Sequence, residues 1–264
     1  MLWQRWYQKA QKQGESFTAL DAMKFFAIFN MTIDHLGAYF FPEIEWLRAI
    51  GRITFPVWFF LVGYSRGRDI GRELWVYALL IVVLHPFIAT PFLAMNALVT
   101  VILCRLAINW CEDKGWLSKR LPEVVVSSLM ISLITMPIFE YGSIAFLFAI
   151  LGRLVRNNES RHRRIMLAVS AYLGFIGWQF LQFDFDAIQW LYVVVGTAWV
   201  VSWLERCPNR VIWQIWDTSR SKRIVTVLSR NTLPYYFYHR VVFQIAGAWW
   251  LGKSFGFNFV LFNW

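Results

Sequence analysis

The sequence predicts an all-α, polytopic integral membrane protein with about nine transmembrane helices, its N-terminus cytoplasmic and its C-terminus outside. Three observations carry this. Hydrophobic residues make up 58% of the 264 and charged residues only 16%, where about 25% charged is usual for a water-soluble domain. Aromatics reach 19%, with 16 Trp, an abundance that suits belts at the membrane interfaces. Apolar runs near the roughly 20 residues a helix needs to cross hydrocarbon recur along the whole chain. The composition excludes a disordered chain and argues against a soluble enzyme.

Residues 1–17 read as an amphipathic cytoplasmic segment, with Arg5, Lys9 and Lys12 ahead of the first apolar run. Residues 18–264 read as a single transmembrane domain. No small-residue cleavage site follows the first run, so a retained helix is expected rather than a removed signal peptide. Spans are expected at 18–41, 46–64, 72–91, 93–111, 121–139, 141–156, 164–182, 186–204 and 224–251. The apolar tail 252–264 is too short to span and suits an interfacial or re-entrant piece.

Loop charges set the orientation. Alternate loops carry Arg66, Arg68 and Arg72; Lys114, Lys119 and Arg120; Arg156, Arg161, Arg163 and Arg164; then Arg206, Arg210, Arg220, Lys222 and Arg223. The intervening loops carry Glu43 and Glu45, no charge, Glu140, then Asp184 and Asp186. Basic loops stay in the cytoplasm, so the N-terminus is expected inside and the C-terminus outside. The net charge of +10 is then a topology signal. Membrane lipids are expected partners and nucleic acid is not. Cys104, Cys111 and Cys207 form no CxxC and no even set, which argues against a disulfide framework or a metal site.

Charges and histidines inside spans are costly and are functional candidates. Asp34 and His35 fall in the outer third of the first span, Arg48 and Arg52 near the outer end of the second, His85 before Pro86 in the third, and His239 in the last. Three of the four histidines would then share one layer. Lys24 and His35 are eleven residues apart, three helical turns plus about 20°, so they share a face about 16 Å apart along the axis. Such a stripe suits a long donor with a phosphate head. Asp34 points about 100° away from His35 and is better placed to pair with Arg48 or Arg52. Each residue also has a structural reading: a hydrogen bond between helices for His35, interfacial anchoring for Arg48, carbonyls freed by a proline kink for His85, and orientation alone for Arg66, Arg68 and Arg72.

The strings LDAMKFFAIFNMTIDHLG, GRITFPVWFFLVGYSRGR and NTLPYYFYHRVVF resemble the first, second and late helices of acyltransferase-3 membrane proteins. The forms IDHLGAYFFPE and LRAIGRITFPVWFFLVGYSRGR resemble most closely the TraX family, whose type member acetylates the N-terminus of F pilin during conjugation. The resemblance covers about residues 18–75 and 229–243. Where the family usually carries Arg in the first helix, this chain has Lys24, a point charge without the bidentate fork.

The resemblance implies an acyltransferase, moving an acetyl group from acetyl-CoA as co-substrate to an amine or hydroxyl acceptor, which would be a pilin, a small molecule or a glycan. It implies His35 as general base or acyl carrier, Arg52 as oxyanion stabiliser, and Asp34 and His239 as further catalytic residues. Lys24, Arg66, Arg68 and Arg72 would bind the donor's phosphates. Two other classes fit the intramembrane charges: a transporter relaying protons or binding an anion, and a non-catalytic membrane component of a conjugation or pilus apparatus.

Overall fold

The computed structural model describes residues 2–11, 16–65, 67–85, 95–206, 211–214 and 220–252. Arg66, Pro86, Cys207, Arg210 and the tail beyond residue 252 lie outside these. The described chain is helical apart from one short antiparallel strand pair, β1 (Ser16–Thr18) with β2 (Val211–Gln214). An amphipathic helix, α1 (Leu2–Gln11), precedes β1. Next comes α2 (Ala19–Tyr39), opened by a capping box in which Thr18 and Asp21 satisfy each other's backbone N–H groups.

The expected second span, 46–64, is two helices, α3 (Glu45–Arg52) and α4 (Phe55–Tyr64). Pro56 explains the break, because it sits in the first turn of α4, where its missing N–H is harmless, and cannot continue a helix from α3. The expected last span, 224–251, is likewise two helices, α12 (Arg220–Arg230) and α13 (Thr232–Trp250). There Pro234 cannot donate to the Arg230 carbonyl, and the Asn231 side chain bonds the Val227 carbonyl at 2.8 Å instead. Between these lie α5 (Arg72–Leu84), α6 (Ala97–Asp113), the short α7 (Trp116–Lys119), α8 (Leu121–Thr135), α9 (Ile144–Arg156), α10 (Arg161–Gln182) and α11 (Ala187–Glu205).

Among the described helices, α10 and α11 are long and apolar enough to cross a membrane by length and composition. Their apolar windows are only 28% and 33% buried, unlike core helices of a soluble protein. Five of the other seven expected spans form shorter described helices for physical reasons. Two are broken by proline, and α5, α8 and α9 have 13, 15 and 13 residues, about 20–23 Å at 1.5 Å per residue.

The core is organised around α9, whose residues 147–151 are all fully buried. Helix α9 crosses α4 at close range because both carry glycine at the crossing. A Cβ on Gly63 would overlap the Ala149 carbonyl, and one on Gly152 would overlap the Phe60 carbonyl. Backbones meeting without side chains between them are the usual way membrane helices gain dispersion contact. Above the crossing, Phe55 stacks on Tyr141 (centroids 4.1 Å) and on Phe175 (4.9 Å), joining α4, the start of α9 and α10. Helix α2 packs beside α3, α4, α12 and α13, and this arrangement builds the site.

Candidate functional site

Helices α2, α4, α5, α6 and α13 and the turn before α9 enclose a mostly apolar cavity of about 300 Å³. Lys24 and His35, on one face of α2, both line it. Arg105 of α6 lines it too, donating to the Ser65 hydroxyl at 3.1 Å and the Asp69 carbonyl at 2.8 Å. Helix α4 starts beside Asp34 and runs 10 residues, about 15 Å, before Ser65. Ser65 and Arg105 therefore lie at the Lys24 end of the cavity. Asp34, His35, Glu140, Tyr141 and Tyr236 line the other end.

His35 meets His239 of α13 across the helix pair, Nδ1 to Nε2, at 2.7 Å, with the rings nearly coplanar at 17°. The other nitrogen of His239, Nδ1, lies 2.9 Å from the Tyr235 carbonyl oxygen. A carbonyl only accepts, so His239 Nδ1 carries the proton, and its Nε2 in the neutral ring is an acceptor. His35 Nδ1–H then donates to it. This chain assigns the tautomers from the hydrogen-bond pattern and leaves His35 Nε2 with a lone pair. His85 is buried at the end of α5 and is not among the cavity-lining residues.

Asp34 is held by both arginines of α3. Arg52 donates to it through Nε at 3.1 Å and through Nη2 at 2.8 Å to each oxygen. Arg48 donates to Oδ2 at 2.9 Å and to the Asp34 carbonyl at 3.0 Å. Gly51 makes this approach possible, since a Cβ there would collide with the Asp34 side chain. The Arg52 guanidinium also lies 5.0 Å from the Phe183 ring centroid, within cation–π range. Arg52 does not line the cavity. Its Nε and Nη2 donors are directed at Asp34.

The expected phosphate ligands divide. Lys24 is at the cavity, 3.7 Å from Asp21. Arg68 is turned away onto Asp113 at 2.6 Å and onto Asn109. Arg72 is exposed at the start of α5 and does not line the cavity. Arg66 is outside the described residues.

Sequence reasoning missed Arg105, although a lone arginine in an apolar helix is the costly charge that should have flagged it. It also missed a chain at the His35 end. Glu140 accepts from Arg240 at 3.1 Å and from the Ala97 N–H at 3.0 Å, and Arg240 donates to the Tyr236 hydroxyl oxygen at 2.9 Å. Glu140 had been read only as a loop charge. Its partner lies 100 residues away, which no local pattern reveals.

The chain is 26% identical over 142 residues to the uncharacterized protein RP591 of Rickettsia prowazekii (strain Madrid E). That match covers 53% of this chain and 57% of the relative, so the two align over little more than half of either. No solved structure matches the chain. The profile of the family described as TraX protein matches residues 19–245, from the first residue of α2 to the middle of α13. The match takes in both walls of the His35–His239 pair, and the chain belongs to the TraX family.

Proposed function

We propose that the protein is a membrane acyltransferase, moving an acetyl group from acetyl-CoA to an amine or hydroxyl acceptor. The observation that carries this reading is one cavity with cations at one end and an oriented imidazole at the other, Lys24 and His35 sharing one face of α2. Lys24 and Arg105 meet the donor's phosphates, the pantetheine arm lies along the apolar wall, and the thioester reaches His35. His35 Nε2 removes the acceptor's proton as the nucleophile attacks, while His239 holds the ring and its tautomer. Family membership makes the N-terminal amine of a pilin one candidate acceptor, and a sugar or small-molecule hydroxyl uses the same chemistry.

Donor binding tests the assignment. Each of Lys24→Gln and Arg105→Gln should weaken acetyl-CoA binding by about 10-fold or more, the range of one charge-assisted hydrogen bond. The measurement is calorimetric titration of the purified protein in detergent. Arg68→Gln should leave the affinity unchanged, because its guanidinium already serves Asp113. Unaltered affinity in both cavity variants would remove the donor site from this cavity.

The membrane reading extends to a multi-pass inner-membrane topology of nine segments, with the broken pairs α3–α4 and α12–α13 each crossing as a unit. It is supported by large apolar side chains exposed on many helices: Leu79 and Val83 on α5, Leu106 on α6, Met130 and Ile134 on α8, Leu173 and Leu181 on α10, Leu191 and Trp199 on α11, and Trp249 on α13. A soluble monomer rarely exposes apolar patches beyond a few hundred Å². Cysteine-accessibility mapping on a cysteine-free background should label position 45 from outside. Labelling from the cytoplasm alone would invert the topology.

A further inference from the structure

If His35 is the base, the transition state still needs a donor for the oxygen that gains charge. When the acceptor's lone pair attacks the thioester carbon, the carbonyl π electrons move onto oxygen, and His35 takes the acceptor's proton. Collapse re-forms the C=O bond and breaks the C–S bond, and the departing thiolate takes that proton from the His35 imidazolium, leaving free coenzyme A. Stabilising the intermediate oxyanion is usually the largest electrostatic contribution to such a step. Arg52 is not among the cavity-lining residues, and its Nε and Nη2 donors are engaged by Asp34.

We infer that the Tyr236 hydroxyl is the oxyanion donor, polarised by Arg240, which is itself held by Glu140. Tyr236 lines the cavity at the His35 end, and its ring centroid lies 6.3 Å from that of His35. The Tyr236 oxygen accepts from Arg240 Nη1 at 2.9 Å. A phenol has one proton and a guanidinium accepts nothing, so the Tyr236 O–H is directed elsewhere than at Arg240. Among the described residues, the hydroxyl's hydrogen bond is the one it accepts from Arg240, and none accepts its proton. The hydroxyl therefore has its oxygen engaged from behind and its proton available on the cavity side. Charge on Arg240 makes that proton a stronger donor. Glu140 fixes the guanidinium, and the Ala97 N–H fixes Glu140. The Tyr236 hydroxyl is thus held in place before the reaction, the arrangement that needs no reorganisation during it.

The inference rests on the acyl-transfer reading and is tested separately from it. The full-length protein is purified in detergent and assayed with radiolabelled acetyl-CoA and a peptide bearing a free α-amine. Tyr236→Phe removes one oxygen atom and keeps the ring, so it should fold and bind acetyl-CoA with wild-type affinity while kcat falls about 10²–10³-fold, the usual cost of one oxyanion donor. A second reading needs no acceptor. The carbonyl stretch of bound acetyl-CoA, isotope-labelled at the thioester carbon, should lie at lower wavenumber in the wild type than in Tyr236→Phe. An unchanged kcat together with an unchanged stretch overturns the role of Tyr236 and leaves acyl transfer standing. For a wild type inactive on this peptide, the stretch alone decides. Failure of the wild type to bind acetyl-CoA at all overturns both.

Discussion

Replacing His35 with alanine should cut acyl transfer by about 10²–10⁴-fold, the usual loss for a positioned base, while acetyl-CoA affinity holds. The separation follows from distance. The cations proposed for the phosphates lie at the Lys24 end, about 16 Å along α2 from the imidazole, so the substitution reaches the chemical step and not the donor's head. It leaves His239 Nε2 without its 2.7 Å partner, at a cost of about 1–3 kcal/mol for a stranded buried polar group. That is small enough for a folded protein to be recovered and compared. His239→Ala should lose less, because it removes the group that orients the ring and leaves the base in place. Single-turnover kinetics on matched amounts of folded protein separate binding from chemistry. A His35→Ala protein that folds and transfers acetyl at close to the wild-type rate would remove His35 from the reaction.

Those parts of the site that obey a local rule were readable in the sequence. Lys24 and His35 share a face because eleven residues return a helix nearly to its starting angle. Asp34 had to find a cation on the neighbouring helix, because a buried carboxylate without a partner is too costly, and the structure gives it both Arg48 and Arg52. The all-helical fold was legible from apolar runs alone. The two helix breaks were not read, although Pro56 and Pro234 mark them, because a window of hydropathy averages across a proline without registering the lost N–H. The side-chain directions of Arg52 and Arg68 were not readable for another reason. Their charge was visible, but their direction depends on Gly51 admitting Asp34 and on Asp113 arriving from α6. The Glu140–Arg240–Tyr236 chain was invisible because it is assembled from segments a hundred residues apart by the packing of α13 against α2.

The arginine pair supplies the largest expected effect on stability. Asp34→Asn should destabilise the protein by about 3–5 kcal/mol, because it leaves buried cationic charge without its counter-ion. Asp34 and Arg52 are each only 6% exposed, and water does not replace the lost carboxylate. The amide keeps the shape but accepts fewer of the four hydrogen bonds that now converge on the side chain, and it donates towards guanidinium groups that cannot accept. The check is the thermal unfolding midpoint of the purified protein in detergent. A double-mutant cycle sharpens it. Asp34→Asn combined with Arg52→Gln should be less destabilised than the sum of the two single changes, since each single change strands a charge that the other removes. An oxyanion role for Arg52 makes the opposite demand: Arg52→Gln would lower kcat at unchanged unfolding midpoint. The observed three-bond grip on Asp34 requires the reverse order, with stability lost first and turnover falling only as the His35 end of α2 loses its anchor to α3.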